Sequence, residues 1–510
     1  MKDSLREQGM PTFKNRFKHV NTRLYSRAHN NLFPELAGLG DKAKMGICFS
    51  GGGSRSASCT HGQLRALNEL GLLENIGYVS CVSGGSWAAL PYTYLNKHYN
   101  DDHFFGSSLE PKALSNEVLE TVSDTNFLQT VTNAIVLDDI FKQWAIFAGD
   151  ETYSRAIGNI FLERFGLNDR SKVFASNITH LHDVLERNEH LLPNDFYLPK
   201  EGRPFLIVSA AFLRPGKGDY IFEMTPWYSG VSELYENAGS LGTCDIGGGY
   251  IESFAFDSDA PKSLNSDNTV NVRLGRKNRR FTLSDVIGTS GAAPAEVFNN
   301  LGIKFIGFPE FKHWPINDTI GSTPSKEYEI SDGGNIENLG IMPLLKRGVE
   351  RIIVFVNTKR KIYENGNKTI NDAVTSLFEE GNINKIFEPS ALKTLVDNLK
   401  DRLAQGEATI YQGTYDILEN AHHGIKGGRQ VEILWVYNNI YKRWKRELPD
   451  DVEYQIGVSG KLANFPHFAT FGENFGKAID MHPIQANLLS QMSSAVIHDN
   501  KEKFTALIHQ

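Results

Sequence analysis

The stretch CVSGGSW, residues 81–87, decides how this chain is read. It closes the apolar run IGYVSC (76–81), which has the length and composition of a short buried strand. Ser83 then sits in a turn with Val82 before it, while Gly84 and Gly85 follow with no Cβ atoms to crowd it. A helical pattern begins near Ser86. Strand, serine on a sharp turn and helix are the pattern of a nucleophile elbow, which pushes a hydroxyl out above a sheet. Ser80 falls inside the strand. Ser86 falls inside the helix, where its hydroxyl can bond back to the backbone.

The same pattern occurs just upstream. KMGICFS (44–50) is a short apolar run that stops at three glycines, Gly51 to Gly53. A helix follows, with Leu64, Leu67 and Leu70 at helical spacing and Gly71 as its expected C-cap. Two strand–turn–helix units in succession predict a βαβ arrangement, a parallel sheet and right-handed crossovers. The glycine loop is an anion site by composition. It is not a P-loop, because Gly53 is followed by Ser54 and Arg55 rather than by Lys and Ser/Thr. It is not a dinucleotide fingerprint either: Ser56 replaces the third glycine, and the next strand ends at Cys81 rather than at an acid. Neighbouring parallel strands release both turns at one sheet edge, where the loop amides can face the Ser83 oxygen as an oxyanion hole requires.

A serine needs a base. YEISDGGNIENLGIMPLL (328–345) puts Asp332 at the end of a predicted strand, ahead of Gly333-Gly334 and a helix bearing Leu339, Met342 and Leu345. The chain has 15 histidines, but His61 lies within the first helix and AHHG (421–424) in a loop-like stretch. None follows a strand as a triad histidine does. A Ser83–Asp332 dyad is the economical expectation, and a Ser-His-Asp set with an unlocated histidine is its alternative.

The remaining sequence sets the context. The chain has 510 residues, 40% hydrophobic and 22% charged, as in ordinary globular proteins. A formal net charge of −7 argues against a nucleic-acid binder. Cys48, Cys59, Cys81 and Cys244 form no CxxC pair or zinc spacing, so buried free thiols in a reducing compartment are expected, with no metal and no disulfide framework. Neither a signal-peptide core nor a membrane-length apolar run is seen. Residues 1–43 read as a basic arm, with seven Lys/Arg against two acids between Met1 and Asn30. The domain is expected over 44–510, with a helical insertion at about 112–190 and further helices over 369–406. Other buried-strand candidates are FLIVSAAF (205–212), IKFIGF (303–308) and RIIVFVN (351–357). VEILWVYNNIYKRWKREL (431–448) reads as a hairpin turning at Asn438-Asn439. Its Tyr437, Tyr441 and Trp444, among four cations, suit a lipid interface. RLGRKNRR (273–280) is a second basic cluster.

Together SGGGSR, CVSGGSW and SDGGNIENLG resemble the patatin-like and cytosolic phospholipase A2 superfamily, in its lysophospholipase-like branch. FEMTPWYSGVSELYENAG (222–239), GTSGAAPA (288–295) and NFPHFATFGEN (464–474) add similar patches. The resemblance implies an α/β, three-layer patatin-like fold: a central, mostly parallel sheet, helices on both faces and an inserted helical cap. It implies that Ser83 is acylated, that Asp332 activates first the serine and then water, and that Gly52 and Gly53 donate to the oxyanion. Arg55 would hold a substrate phosphate. The implied substrate is a phospholipid or lysophospholipid, met at a membrane surface by a cytoplasmic protein without cofactor. Cys81 departs from the family's elbow, which begins with glycine. Transfer of the acyl group to another alcohol, or lipid binding without turnover, would use the same residues.

Overall fold

The computed structural model describes residues 17–27, 31–133, 151–213, 218–233, 235–236, 244–274, 279–292, 309–317, 320–362, 370–458, 460–469 and 481–510. Within them a 13-stranded sheet runs through the molecule. Its strands are β1 (His19–Tyr25), β2 (Met45–Phe49), β3 (Tyr78–Val82), β4 (Phe205–Phe212), β5 (Tyr220–Met224), β6 (Tyr228–Val231), β7 (Gly249–Glu252), β8 (Thr269–Arg273), β9 (Glu310–His313), β10 (Lys326–Asp332), β11 (Arg351–Val356), β12 (Ile410–Asp416) and β13 (Gln430–Tyr437). The spatial order is β8-β1-β7-β6-β5-β4-β3-β2-β11-β13-β12, with β10 paired to both β9 and β4.

The sheet is mixed and mostly antiparallel, not mostly parallel as expected. Only the central run β4-β3-β2-β11-β13 is parallel. Part of the reason is linker length. A parallel crossover needs a dozen or more residues, and Met224 is joined to Tyr228 by only Thr225, Pro226 and Trp227. β5 and β6 therefore each return as a hairpin on the strand before.

Helices cover both faces, as expected. Alternate side chains divide between two layers: Ile47, Phe49, Ile353 and Phe355 enter one buried cluster, while Cys48, Ile352, Val354 and Val356 enter the other. On the first face lie α1 (Gly53–Glu69), α2 (Gly84–Tyr94), α3 (Thr152–Leu162), α4 (Leu283–Ser290) and α7 (Pro483–His498). On the second lie α5 (Met342–Lys346) and α6 (Pro389–Ala404). Burial on both faces explains why the central strands read as continuous apolar runs.

The segment before residue 44 is not only an arm. β1 pairs antiparallel with β7 and β8, and buried Glu35 accepts from Arg347 Nε at 2.9 Å. Arg347 also meets Glu223 at 2.7 Å, which ties this segment to β5 and α5. Helical residues of the 112–190 stretch, among them Leu119, Leu128, Phe161 and Leu181, share the buried cluster of β2 and β3.

The expected hairpin at 431–448 is absent. β13 pairs antiparallel with β12, which precedes it, and parallel with β11. A helical turn, Lys442–Lys445, follows it. Tyr437, Tyr441 and Trp444 are buried, so they form no lipid-facing tip. In the second basic cluster, Arg279 and Arg280 are buried against the rings of Phe311 and Phe17, and 275–278 lie outside the described residues. So do IKFIGF (303–308), residues 293–295 of GTSGAAPA, and 470–474 of NFPHFATFGEN. Among the described residues, no helix is long and apolar enough to cross a membrane, and no group of acids, histidines and cysteines is arranged to hold a metal ion.

Candidate active site

Ser83 and Asp332 meet because two strands end against the same edge of β4. β3 runs parallel to β4, and its last residue, Val82, pairs with Ser209. β10 runs antiparallel to β4, and its last residue, Asp332, pairs with Ala210, the next position along. The two C-terminal ends thus converge head-on. The residue after Val82 is placed beside Asp332, and Ser83 Oγ donates to Asp332 Oδ2 at 2.6 Å. Both residues are buried, Ser83 at 7% and Asp332 at 3% exposure, so little water competes for that bond.

The elbow geometry is present. Ser83 has φ 51° and ψ −125°, a conformation that a non-glycine residue rarely holds. Such strain costs on the order of 1–3 kcal/mol and persists only where the surroundings fix it. One such fixture is Ser290, at the end of α4. Its Oγ accepts the Ser83 N–H at 2.9 Å and donates to the Ser209 carbonyl at 2.9 Å, pinning the turn to β4. GTSGAAPA carries a resemblance in the sequence, but nothing in the sequence says that Ser290 braces the elbow. Ser290→Ala leaves an N–H and a carbonyl unpaired in a buried place. It should destabilise the protein by about 1–3 kcal/mol, read from its denaturant midpoint.

The glycine loop lies against this turn. A Cβ on Gly84 would stand 2.1 Å from the Gly53 carbonyl oxygen and 2.6 Å from the Gly53 nitrogen, so only glycine lets the two loops touch. Gly52 has φ 145°, outside the reach of ordinary side chains, and its missing Cβ leaves room for Arg55 Nη2. Gly53 begins α1 and Gly84 begins α2, so two helix N-termini converge near Ser83. The first N–H groups of a helix have no intrahelical partner and carry partial positive charge.

Asp332 and the loop are coupled. Asp332 Oδ1 accepts the Gly334 N–H at 2.7 Å. Asn338 accepts the Gly51 N–H through its carbonyl at 3.0 Å. Its side-chain oxygen fills the space where Cβ atoms on Gly51 and Gly334 would fall. Asn338 thus stands between the Asp332 turn and the glycine loop, a contact that no local pattern of the sequence announces. On the other side, Asn357 donates to Ser50 Oγ at 2.8 Å and holds Ser56, Thr60 and Gln63.

Arg55 is buried and donates to the carbonyls of Asn357 (3.1 Å) and Phe468 (2.5 Å). Among the described residues no carboxylate pairs with it. Burial pulls its guanidinium down to about 10.

Glu337 is the strained acid of this region. Burial pushes its carboxyl up to about 7, against the opposing bonds from Leu339, Met342, Gly340 and Ile341 N–H groups. Leu339 N donates to it at 2.6 Å. Because the folded value is raised from 4.5, the stability it contributes is present below about pH 4.5 and is lost as the pH rises to about 7. The stability of wild type relative to Glu337→Gln should therefore fall by about 3 kcal/mol between pH 4.5 and 7, measured by chemical denaturation.

No protein-family model matches the sequence, and no curated protein does. Solved structures do match. The chain is similar to human GIVD cytosolic phospholipase A2, with a TM-score of 0.46 and 12% identity over 92% of this chain and 60% of that one. The complex of that human protein with methyl gamma-linolenyl fluorophosphonate gives a TM-score of 0.38 at 13% identity, covering 92% and 59%. VipD from Legionella pneumophila gives 0.22 at 13% identity, covering 72% and 56%. The chain spans about 60% of the length of the human phospholipase it matches.

Histidines contact neither Ser83 nor Asp332 in any hydrogen bond found among the described residues. His61 bonds to Ser490 Oγ and the Phe104 carbonyl, and burial pushes it down to about 3. His422 and His423 bond to the Asp219 carbonyl and to Asn384. Cys81, at the entry to the elbow, is wholly buried with Sγ 3.5 Å from the Ile207 carbonyl. Its side chain belongs to the core cluster of the first face, and the turn forms beyond it. Burial raises the Cys48, Cys59 and Cys81 thiols. Cys48 faces the second layer, the other two the first.

Proposed function

We propose that this protein hydrolyses fatty-acyl esters of glycerophospholipids or lysophospholipids through an acyl-enzyme on Ser83. The observation that carries the reading is the 2.6 Å bond from Ser83 Oγ to Asp332 Oδ2 at a serine held with φ 51°. Asp332 takes the serine proton as Oγ attacks the ester carbonyl. The negative charge that develops on the carbonyl oxygen is met by the N–H groups of Gly52 and Gly53 at the start of α1. Asp332 then gives the proton to the departing alcohol. Water enters, loses its proton to Asp332 and releases the fatty acid, with Ser83 restored.

Arg55 suits the phosphate of such a lipid. It is a buried cation beside the loop, held by two carbonyls and by no carboxylate among the described residues, and a bound anion would offset its desolvation. The test is incubation with mixed phospholipid vesicles followed by lipid mass spectrometry. Free fatty acid and the matching lysolipid should accumulate. Acyl chains recovered only on an added acceptor alcohol would replace hydrolysis with transfer, and unchanged lipids would overturn both.

A further inference from the structure

An open cleft of about 830 Å³ begins at the base turn itself, with Gly334 and Asn338 in its wall. Gly334 donates to Asp332, and Asn338 accepts from Gly51, so the cleft shares two wall residues with the site described above. Its chemistry is unlike that of Arg55. Among the described residues, no Lys, Arg or His lines it. Its polar wall is dominated by the amides of Asn335, Asn371, Asn382 and Asn384, with Thr375 and Glu379 among them. Its apolar floor includes Ile336, Ile370, Leu392 and Val396.

These amides are held in place by the chain without being used up. Asn371 donates one bond to Thr358 Oγ1 and accepts one from Ala373 N. Asn382 donates to Glu379 and accepts from Asn384 N. Asn335 donates to Ser331 Oγ. A primary amide has two N–H groups and two lone pairs, so each of these three keeps a further donor and a further acceptor.

That combination selects a ligand class. An anionic group wants donors and cations, and the charged side chains of the described lining are Asp372 and Glu379 instead. Asp372 is already paired with Arg360 at 2.8 Å and Glu379 accepts from Asn382, so the unused capacity is that of the amides, and an ammonium would leave their N–H groups idle. A hydroxyl both donates and accepts, as these amides do, and the C–H face of a polyol fits an apolar floor. Resting on the hydrolase reading, we propose that this cleft is a headgroup subsite for a polyol, such as an inositol or a hexose, carried by the lipid whose ester reaches Ser83.

The test compares kcat/KM for phosphatidylinositol, a galactosyl diglyceride and phosphatidylcholine with matched acyl chains, presented in the same mixed micelles. The inositol lipid should be preferred to the choline lipid by about tenfold, the return on two net hydrogen bonds. A galactosyl lipid that shares the preference shows that hydroxyls suffice. A preference confined to the inositol lipid shows that they are read together with the phosphate. Glu379→Ala combined with Asn382→Ala, and separately Thr375→Trp, which fills the cleft, should each bring the ratio to near one, with melting temperature checked for folding. Fatty-acid release with no polyol preference, or a preference that both variants retain, overturns the subsite alone. No release from any of the three lipids, with Ser83 unreactive, overturns the hydrolase reading and the subsite with it.

Discussion

Ser83→Ala should abolish fatty-acid release, and Asp332→Asn should lower kcat by about 10,000-fold or more, with both proteins folded. The magnitude follows from the unit the two residues form. Losing a nucleophile or its base in a serine hydrolase typically costs at least that much, and the losses are not additive. The double variant should therefore be no slower than the worse single one. Asp332→Asn is the sharper test of the two. The amide fits the same space and still receives the Gly334 N–H, as Asp332 Oδ1 does at 2.7 Å. It has no basic oxygen to take the serine proton. Activity in Asp332→Asn within tenfold of wild type would remove the aspartate from the proposed chemistry, and a histidine would have to be sought. Initial rates on a long-chain ester, with circular dichroism as the folding check, decide the point.

The second large effect is expected at Gly84. Alanine there drives a Cβ to within 2.1 Å of the Gly53 carbonyl and 2.6 Å of the Gly53 nitrogen, both backbone atoms that cannot rotate aside. The glycine loop and the elbow must then part. Losing the alignment of one oxyanion donor typically costs about 100- to 1,000-fold in kcat, and overpacking costs about 1–3 kcal/mol of stability. KM should change little, because the lost interaction is made in the transition state. A Gly84→Ala protein with wild-type kcat would show that the contact between the loops does not matter to turnover.

Much of this site was legible in the sequence because its signals are local. The runs at 45–49 and 78–82, the glycines that end them and the helix after each are short-range features with one physical meaning. β2, β3, α1 and α2 follow the predicted order. Asp332 at the end of a strand is likewise read from its neighbours. Its strand direction was not, because β10 comes down on β4 from the opposite side, and that pairing joins residues far apart in the chain. The same holds for Ser290, whose two bonds reach Ser83 and Ser209 across large gaps in sequence, and for Asn338. β1 was missed because a basic, weakly patterned segment becomes a strand only when β7 and β8 flank it. The false hairpin at 431–448 had a readable warning. Tyr441 and Trp444 are three apart, the spacing of one helical face, and they are buried while Lys442 and Arg443 are exposed.

The central claim is that Ser83 Oγ is the atom that becomes acylated. A long-chain fluorophosphonate, which reacts with activated serines, tests it directly when the labelled protein is digested and its peptides are mapped by mass spectrometry. The expected result is one adduct, on the peptide carrying Ser83, formed rapidly in wild type and lost in Ser83→Ala. An adduct on another residue, or a Ser83 that stays unmodified in folded wild-type protein, would contradict it.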